Sequence, residues 1–361
     1  MIYVTKPFLP PRAEYEKYLE GIWNRQWLTN NGPLVNELEL KLKEFLKVPH
    51  LLFLNNGTIA LQIAIKALGL RGTIITTPFT YIATTSSIVW EGCKPHFVDI
   101  DPSNLNIDPK KIEAAITSET CAILATHVFG NPCDIEAIEN IAKKNKIPVI
   151  YDAAHCFGTK YKGQSVFNYG TISTTSFHST KLFHTVEGGA VFTQDDELLK
   201  KMAFMRNFGY NGPEDFAEVG INGKNSEFHA AMGLANVKYI SSILESRKAQ
   251  SARYDYWLVN SHWERIVISE DVDFNFSYYP LILENESLAL KVIRELEGNR
   301  ISPRRYFFPS LNTISLYRAD TLSISESISR RIICLPLYHT LSVEEIDFIS
   351  RIILRALNYS S

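Results

Sequence analysis

The chain has 361 residues, 45% of them hydrophobic and 21% charged, with a formal net charge of −2. This is the composition of an ordinary globular protein, large enough for an extensive core and two domains. It gives no electrostatic case for nucleic acid or an anionic membrane surface, and no stretch is long and apolar enough to span a bilayer. The five cysteines, Cys93, Cys121, Cys133, Cys156 and Cys334, form no CxxC pair and no zinc-type cluster with histidine. They are expected to be reduced, buried thiols of a cytoplasmic protein without a metal. The opening Met1-Ile-Tyr-Val-Thr-Lys-Pro lacks the apolar core of a signal peptide.

In chain order, Pro11 to Trp27 reads as an amphipathic helix entered through Pro10-Pro11, and Leu34 to Leu46 as a second helix beyond a loop rich in turn residues. Leu51-Leu-Phe-Leu is a short apolar strand that runs through Asn-Asn into Gly57-Thr58, and apolar residues then recur at helical spacing from Ile59 to Leu68. A strand, a glycine turn and a helix N-terminus form an anion site, because free N–H groups and the positive dipole end point the same way. By itself this joint is equally an ordinary strand-to-helix connection. No G-x-G-x-x-G and no Walker A sequence occurs.

Alternating units follow: strands at Thr73 to Thr76, Lys94 to Asp99, Cys121 to Thr126 and Pro148 to Asp152, with helices at Tyr81 to Glu91, Pro109 to Ile116 and Ile135 to Asn145. Such alternation implies an α/β fold with a mostly parallel sheet covered on both faces. Ligands of these sheets gather at the carboxyl ends of the strands, where Gly57-Thr58 and Asp152 both fall. Asp152 follows an apolar strand and precedes Ala-Ala-His155. It reads as a helix N-cap or as a carboxylate held against a cationic ring nitrogen.

Thr171 to Phe177 alternates as a strand and Ala190-Val-Phe-Thr is a second one, so Lys181 lies on the turn between them, followed by Glu187-Gly-Gly. Alone it is a surface lysine. The last third predicts a helix from about Ala230 to Tyr256 and strands near Arg265 to Ile268, Tyr278 to Leu283 and Arg331 to Leu335. Helices are predicted at Ser287 to Glu297 and Val343 to Leu357, which together give a small C-terminal α/β domain.

Three features stand in order: a phosphate cradle at Gly57-Thr58 with the Ser176 hydroxyl, a strand-end carboxylate at Asp152, and Lys181. Pyridoxal 5'-phosphate needs these parts: a lysine for a Schiff base, an acid facing the pyridine nitrogen, and an anion site.

The stretches Trp27-Leu-Thr-Asn-Asn-Gly-Pro, Asn55-Asn-Gly-Thr, Thr77-Pro-Phe-Thr-Tyr, Phe97-Val-Asp-Ile-Asp, Asp152-Ala-Ala-His, Ser176-Phe-His-Ser-Thr-Lys, Glu187-Gly-Gly-Ala and Arg206-Asn-Phe-Gly run almost end to end. On these residues the chain resembles the sugar aminotransferases of the DegT/DnrJ/EryC1/StrS family, which share the fold-type I architecture of aspartate aminotransferase. The context Thr-Lys-Leu-Phe-His-Thr-Val-Glu-Gly-Gly resembles the branch that makes amino-dideoxy sugars on a deoxythymidine diphosphate carrier. Within that branch it is most similar to enzymes that aminate C4 of a 4-keto-6-deoxyglucose.

The resemblance implies transfer of an amino group from an amino acid, taken as glutamate, to a nucleotide-linked keto-deoxysugar. Alternatives are a 3-amino product, another nucleotide, a dehydratase, or a non-catalytic relative; Lys181 argues against the dehydratase, and intact Lys181, Asp152 and Ser176 against the non-catalytic relative. It further implies that Lys181 carries the cofactor and shuttles the proton, and that Asp152 pairs with the ring nitrogen. His155 is expected near the phenolic oxygen, Tyr81 stacked on the ring, and Gly57, Thr58 and Ser176 on the phosphate.

The family also implies a homodimer with shared sites, in which an asparagine from a Gly-x-Asn-x-Arg-x-Ser-Glu stretch reaches the partner's phosphate. Here that stretch is Gly220-Ile-Asn222-Gly-Lys224-Asn-Ser226-Glu227, with Lys224 replacing the arginine and Asn225 as a second candidate. The implied division is a large cofactor-binding domain over 1–240 and a small one over 241–361, onto which the N-terminal helix often packs. The stretch Arg304-Arg305-Tyr306-Phe307 reads as placing charge near the sugar diphosphate, or Arg304 as part of a solvated basic turn.

Overall fold

Short apolar strands and amphipathic helices alternate in the computed structural model, which describes residues 1–259 and 263–358. The N-terminal elements are β1 (Ile2–Tyr3), α1 (Arg12–Arg25) and α2 (Pro33–Leu46). The alternating run is β2 (His50–Leu54), α3 (Gly57–Ala67), β3 (Thr73–Thr76), α4 (Ile82–Trp90), β4 (Lys94–Phe97), α5 (Pro109–Ala115), β5 (Thr120–Thr126), α6 (Ile135–Asn145) and β6 (Val149–Asp152). Next come β7 (Lys160–Tyr161), β8 (Gln164–Ser165), β9 (Ile172–Ser176), β10 (Gly189–Thr193), α7 (Asp196–Arg206), α8 (Glu227–Val237) and α9 (Ile240–Leu258). The chain closes with β11 (Trp263–Glu264), β12 (Val272–Asp273), β13 (Tyr279–Leu283), α10 (Glu286–Gly298), β14 (Ile301–Ser302), α11 (Ser323–Arg331), β15 (Ile332–Leu335) and α12 (Val343–Asn358).

The main sheet has the order β2-β10-β9-β6-β5-β3-β4. Its strands are parallel except β10, which runs antiparallel to both neighbours. Apolar clusters cover both faces, one of them built on α3 and α7 and the other on α5 and α6. Burial on both faces is why β5 and β6 read as apolar runs and not as alternations. A further cluster packs α9, α10 and α12 on the three-stranded sheet β11-β13-β15. Among the described residues no helix is long and apolar enough to cross a membrane, and no group of His, Cys, Asp and Glu could hold a metal ion.

The reversal at β10 positions the site. A chain that must turn back next to β9 makes its turn at β9's carboxyl end, so residues 177–188 lie over the same edge at which β2, β5 and β6 finish. The register fixes the alignment: Gly189 pairs with Leu54 on one side and Ser176 on the other, while Asp152 pairs with Thr126 and Thr174.

Several local readings are corrected. The helix expected over Ala230 to Tyr256 is two helices, parted where Tyr239 leaves helical geometry (φ −106°, ψ 1°). There Lys238 donates to Glu14 at 2.6 Å and the Tyr239 hydroxyl to the same carboxylate, so tertiary partners hold the break. The strand expected at 265–268 does not form. Asp255 and the Tyr279 hydroxyl hold Arg265, and Val267 bonds Ser103 and Asn131 in loops at the carboxyl edge of the main sheet. Helix α7 was not anticipated, although Asp195 caps it by accepting from the N–H groups of Glu197 and Leu198. The N-terminal helix α1 packs on α8, with Ile22 buried in the large-sheet core; it is β1, parallel to β14, that joins the C-terminal part.

Asp99 shows how the two parts are tied. Its carboxylate accepts from the N–H groups of Ile324 (2.9 Å) and Ser325 (2.7 Å) and from the Ser325 hydroxyl. It caps the first turn of α11 from the segment after β4, 225 positions earlier. Hydrogen bonds to a buried charge contribute about 1.5–3 kcal/mol each, which gives the Val-Asp-Ile stretch a structural purpose.

Candidate active site

The turns at the carboxyl edge enclose a cavity of about 360 Å³. Gly57, Thr58, Tyr81, Asp152, His155, Ser176 and Lys181 all line it. These residues come from four separate strand ends and meet only because of the strand order.

The cradle begins at Asn56, which caps α3 by accepting from the Ile59 N–H at 2.8 Å. The N–H groups of Gly57 and Thr58 open the helix and have no intrahelical acceptor. Glycine is required at two positions here. A Cβ on Gly57 would sit 2.9 Å from the Ser176 Cβ, and one on Gly189 2.5 Å from the Asn56 carbonyl. The backbone therefore closes tightly enough for the Ser176 hydroxyl and the helix N-terminus to address one anion.

Asp152 ends β6 and is buried. Its Oδ2 accepts from the Thr84 hydroxyl at 2.7 Å and its Oδ1 from the Ala154 N–H at 3.2 Å. Burial raises its pKa, and the two hydrogen bonds and Lys181 oppose that shift. No helix follows Asp152, so the helix-cap reading does not apply. Lys181 sits in the turn over the edge, where the Phe177 N–H donates to Gly188 and the Thr185 N–H to Phe177. Burial brings its amine down to about 8, against the pull of Asp152 and Cys156.

His155 is packed between aromatic rings, with Phe307 at 6.0 Å and nearly parallel, and Tyr278 at 4.7 Å. Burial holds its pKa well below the ordinary value, so the ring is neutral. Its buried Nδ1 has no hydrogen-bond partner among the described residues. A half-open flat ring is provided by Tyr81, which precedes α4 and is 59% exposed, not an ordinary core aromatic.

Asn222 lies outside this cavity. Its side chain accepts from Lys224 at 2.7 Å, and Lys224 in turn lies 4.4 Å over the Phe208 ring. Asn225 is engaged within its own chain: buried, it donates to the Leu54 and Glu187 carbonyls. Glu227, fully buried, accepts from the N–H groups of Leu34 and Val35 and so caps α2. Arg206 reaches Glu39 and the Phe53 carbonyl beneath the cradle. Arg304 stands at the cavity wall, its guanidinium 5.8 Å from the Tyr306 ring, and is not a turn remote from the site.

Sequence reading missed Thr80, Thr126 and Tyr278, which also line the cavity, and gave no role to the rings of Tyr306 and Phe307, which line it beside Arg304. The unusual run of hydroxyls in the otherwise apolar stretch from Thr80 to Ser87 was the available signal for Thr80. No periodicity marks Tyr306-Phe307, which fold back from far along the chain.

Compared with known proteins, residues 11–354 match the DegT/DnrJ/EryC1/StrS aminotransferase family. A dTDP-4-amino-4,6-dideoxy-D-glucose transaminase of Shigella dysenteriae is 42% identical over 355 residues, 96% of this chain and 97% of that protein. The Escherichia coli protein of the same name is 39% identical over 363 residues, 97% of each. Among solved structures, DesI in the presence of its TDP-sugar product superposes with a TM-score of 0.93 at 29% identity, over 99% of this chain and 93% of the other.

Proposed function

The chain belongs to the DegT/DnrJ/EryC1/StrS aminotransferase family, and we propose that it transfers the amino group of L-glutamate to C4 of dTDP-4-keto-6-deoxyglucose, giving dTDP-4-amino-4,6-dideoxyglucose. The observation that carries this reading is the near full-length likeness to two transaminases of that product. The convergence of Lys181 and Asp152 on one cavity supports it.

The residues present fit pyridoxal 5'-phosphate. A glycine-lined cradle opens at a helix N-terminus, a buried carboxylate stands at a strand end, and a buried histidine nitrogen lacks a partner. When bound, this cofactor supplies an electron-withdrawing ring that stabilises negative charge on the carbon losing its proton.

In this reading Gly57, Thr58 and Ser176 hold the phosphate, Tyr81 covers the ring, and His155 addresses the phenolic oxygen. Asp152 keeps the ring nitrogen protonated. Lys181 anchors the cofactor and then carries the proton, a role suited to an amine whose pKa burial has brought to about 8, near neutral pH. Residues to 240 form the part that binds the cofactor, and those from 241 the smaller part closing the cavity through Tyr278, Arg304 and Tyr306. Incubation of the pure protein with glutamate and a panel of nucleotide keto-sugars tests the substrate. NMR should show nitrogen on C4 of the dTDP sugar; a 3-amino product, or turnover only with another nucleotide, overturns the assignment.

We also propose a homodimer with shared sites. Asn222 lies outside the cavity of its own chain, on a segment that exposes Phe208, Tyr210, Phe216, Val219 and Ile221. A closed two-fold dimer would cover those side chains, and each Asn222 would complete the other subunit's phosphate site. Complementation tests this: a Lys181→Ala subunit mixed with an Asn222→Ala/Lys224→Ala subunit should regain activity, since half of the sites in a heterodimer are then intact. A mixture no more active than its parents, with subunit exchange demonstrated, refutes it.

A further inference from the structure

Asp152 does not stand alone under the cavity. Thr84 lies 2.7 Å from its Oδ2, Thr80 lies 2.9 Å from Thr84, and Thr126 lies 2.8 Å from Thr80, hydroxyl to hydroxyl. All three threonines are buried. They come from separate elements: Thr126 from β5, where it is the cross-strand partner of Asp152, Thr80 from the loop before α4, and Thr84 from the helix itself.

A hydroxyl has one proton to give, and a carboxylate only accepts. Thr84 must therefore spend its proton on Asp152, which leaves its oxygen to accept from Thr80. Thr80 then has nothing left to give Thr126 and must accept from it. The ionised carboxylate thus sets the direction of all three bonds, and bonds aligned in series polarise one another in a low-dielectric interior.

We infer that Thr126, Thr80 and Thr84 form a one-way chain of donors that holds Asp152 ionised and fixed in orientation, so that the proton it shares with the cofactor stays on the ring nitrogen. The inference rests on the proposed placement of the cofactor ring against Asp152. Thr84, absent from the cavity wall, is a positioning residue that acts through Asp152. Burial works against the carboxylate and the hydrogen bond works for it, so removal of the donor shifts the shared proton from the ring towards the carboxylate. Among the described residues, Lys181 acts electrostatically on Asp152 and Asp152 on Cys156, and His155 lines the same cavity. Burial keeps the thiol and the imidazole in their neutral forms and brings the Lys181 amine down to about 8, so of these three it is the lysine that titrates alongside.

The test uses the holoenzyme and follows its visible absorption band as a function of pH. Thr84→Val keeps the shape and deletes the donor; it should move the titration midpoint by roughly half a unit or more and lower kcat with little change in KM. Thr84→Ser should restore both. Thr80→Val and Thr126→Val should move the midpoint in the same direction by progressively less. A folded Thr84→Val protein with the wild-type midpoint, or a serine variant that fails to restore it, overturns the inference. If Thr84→Val does not fold, an unshifted midpoint in Thr126→Val overturns it equally. A wild-type protein that takes up no chromophore at all refutes the cofactor reading, and the inference with it; an unshifted Thr84→Val band against a normal wild-type band refutes the inference alone.

Discussion

Replacing Lys181 with alanine is expected to lower turnover by at least roughly a thousandfold, since both the covalent anchor and the proton carrier are lost at once. The cradle and the ring contacts are untouched, so the variant should still bind the cofactor, reversibly. Borohydride treatment should fix the cofactor's mass on the Lys181 peptide of the wild type and on no peptide of the variant. Burial adds a signature in pH: it brings the amine to about 8, well below the usual value of about 10.4. Covalent capture needs the neutral amine. Its rate in the apoprotein should climb as pH approaches about 8 and level off above, whereas a solvated lysine would climb to about 10. Near-normal transamination by the alanine variant would remove Lys181 from the mechanism.

Asp152→Asn separates charge from shape. The amide can still accept from Thr84, but it cannot hold a proton on the ring nitrogen, so turnover should fall by roughly a hundredfold or more. Stability should move the other way. Burial raises the carboxyl pKa in the folded apoprotein, so the folded state favours the protonated form. Ionisation then costs stability as pH rises above the unfolded value of about 3.9. The asparagine variant has no such cost, and its apoprotein should melt at pH 7 no lower than the wild type. A variant that stayed active but melted lower would make Asp152 a structural residue, and calorimetry alongside steady-state rates decides between the two.

The threonines show why part of the site escaped the sequence. Thr80, Thr84 and Thr126 are separated by up to 46 positions and become a chain only when β5 lies beside β6 and α4 packs above them. The asparagines show the same thing in a shorter stretch. Asn222 and Asn225 are equivalent candidates by composition, yet folding buries the amide of Asn225 against the Leu54 and Glu187 carbonyls and leaves Asn222 outside the cavity. Glu227 was legible as part of a motif, but its capping of α2, 192 and 193 positions away, was not.

By itself the sequence determined what is local: the alternation of strands and helices, the glycine turn ahead of α3, the carboxylate that ends β6, and Lys181 on the turn before Gly188 and Gly189. Each follows from a period of two or 3.6 residues or from the turn chemistry of neighbouring side chains. The tertiary structure alone decided the strand order, the reversal of β10 that carries Lys181 over Asp152, the break between α8 and α9, and the closure of the cavity by Tyr278, Arg304 and Tyr306. The reason is that a hydrophobic period states which face of an element is buried and carries no information about which distant element will cover it.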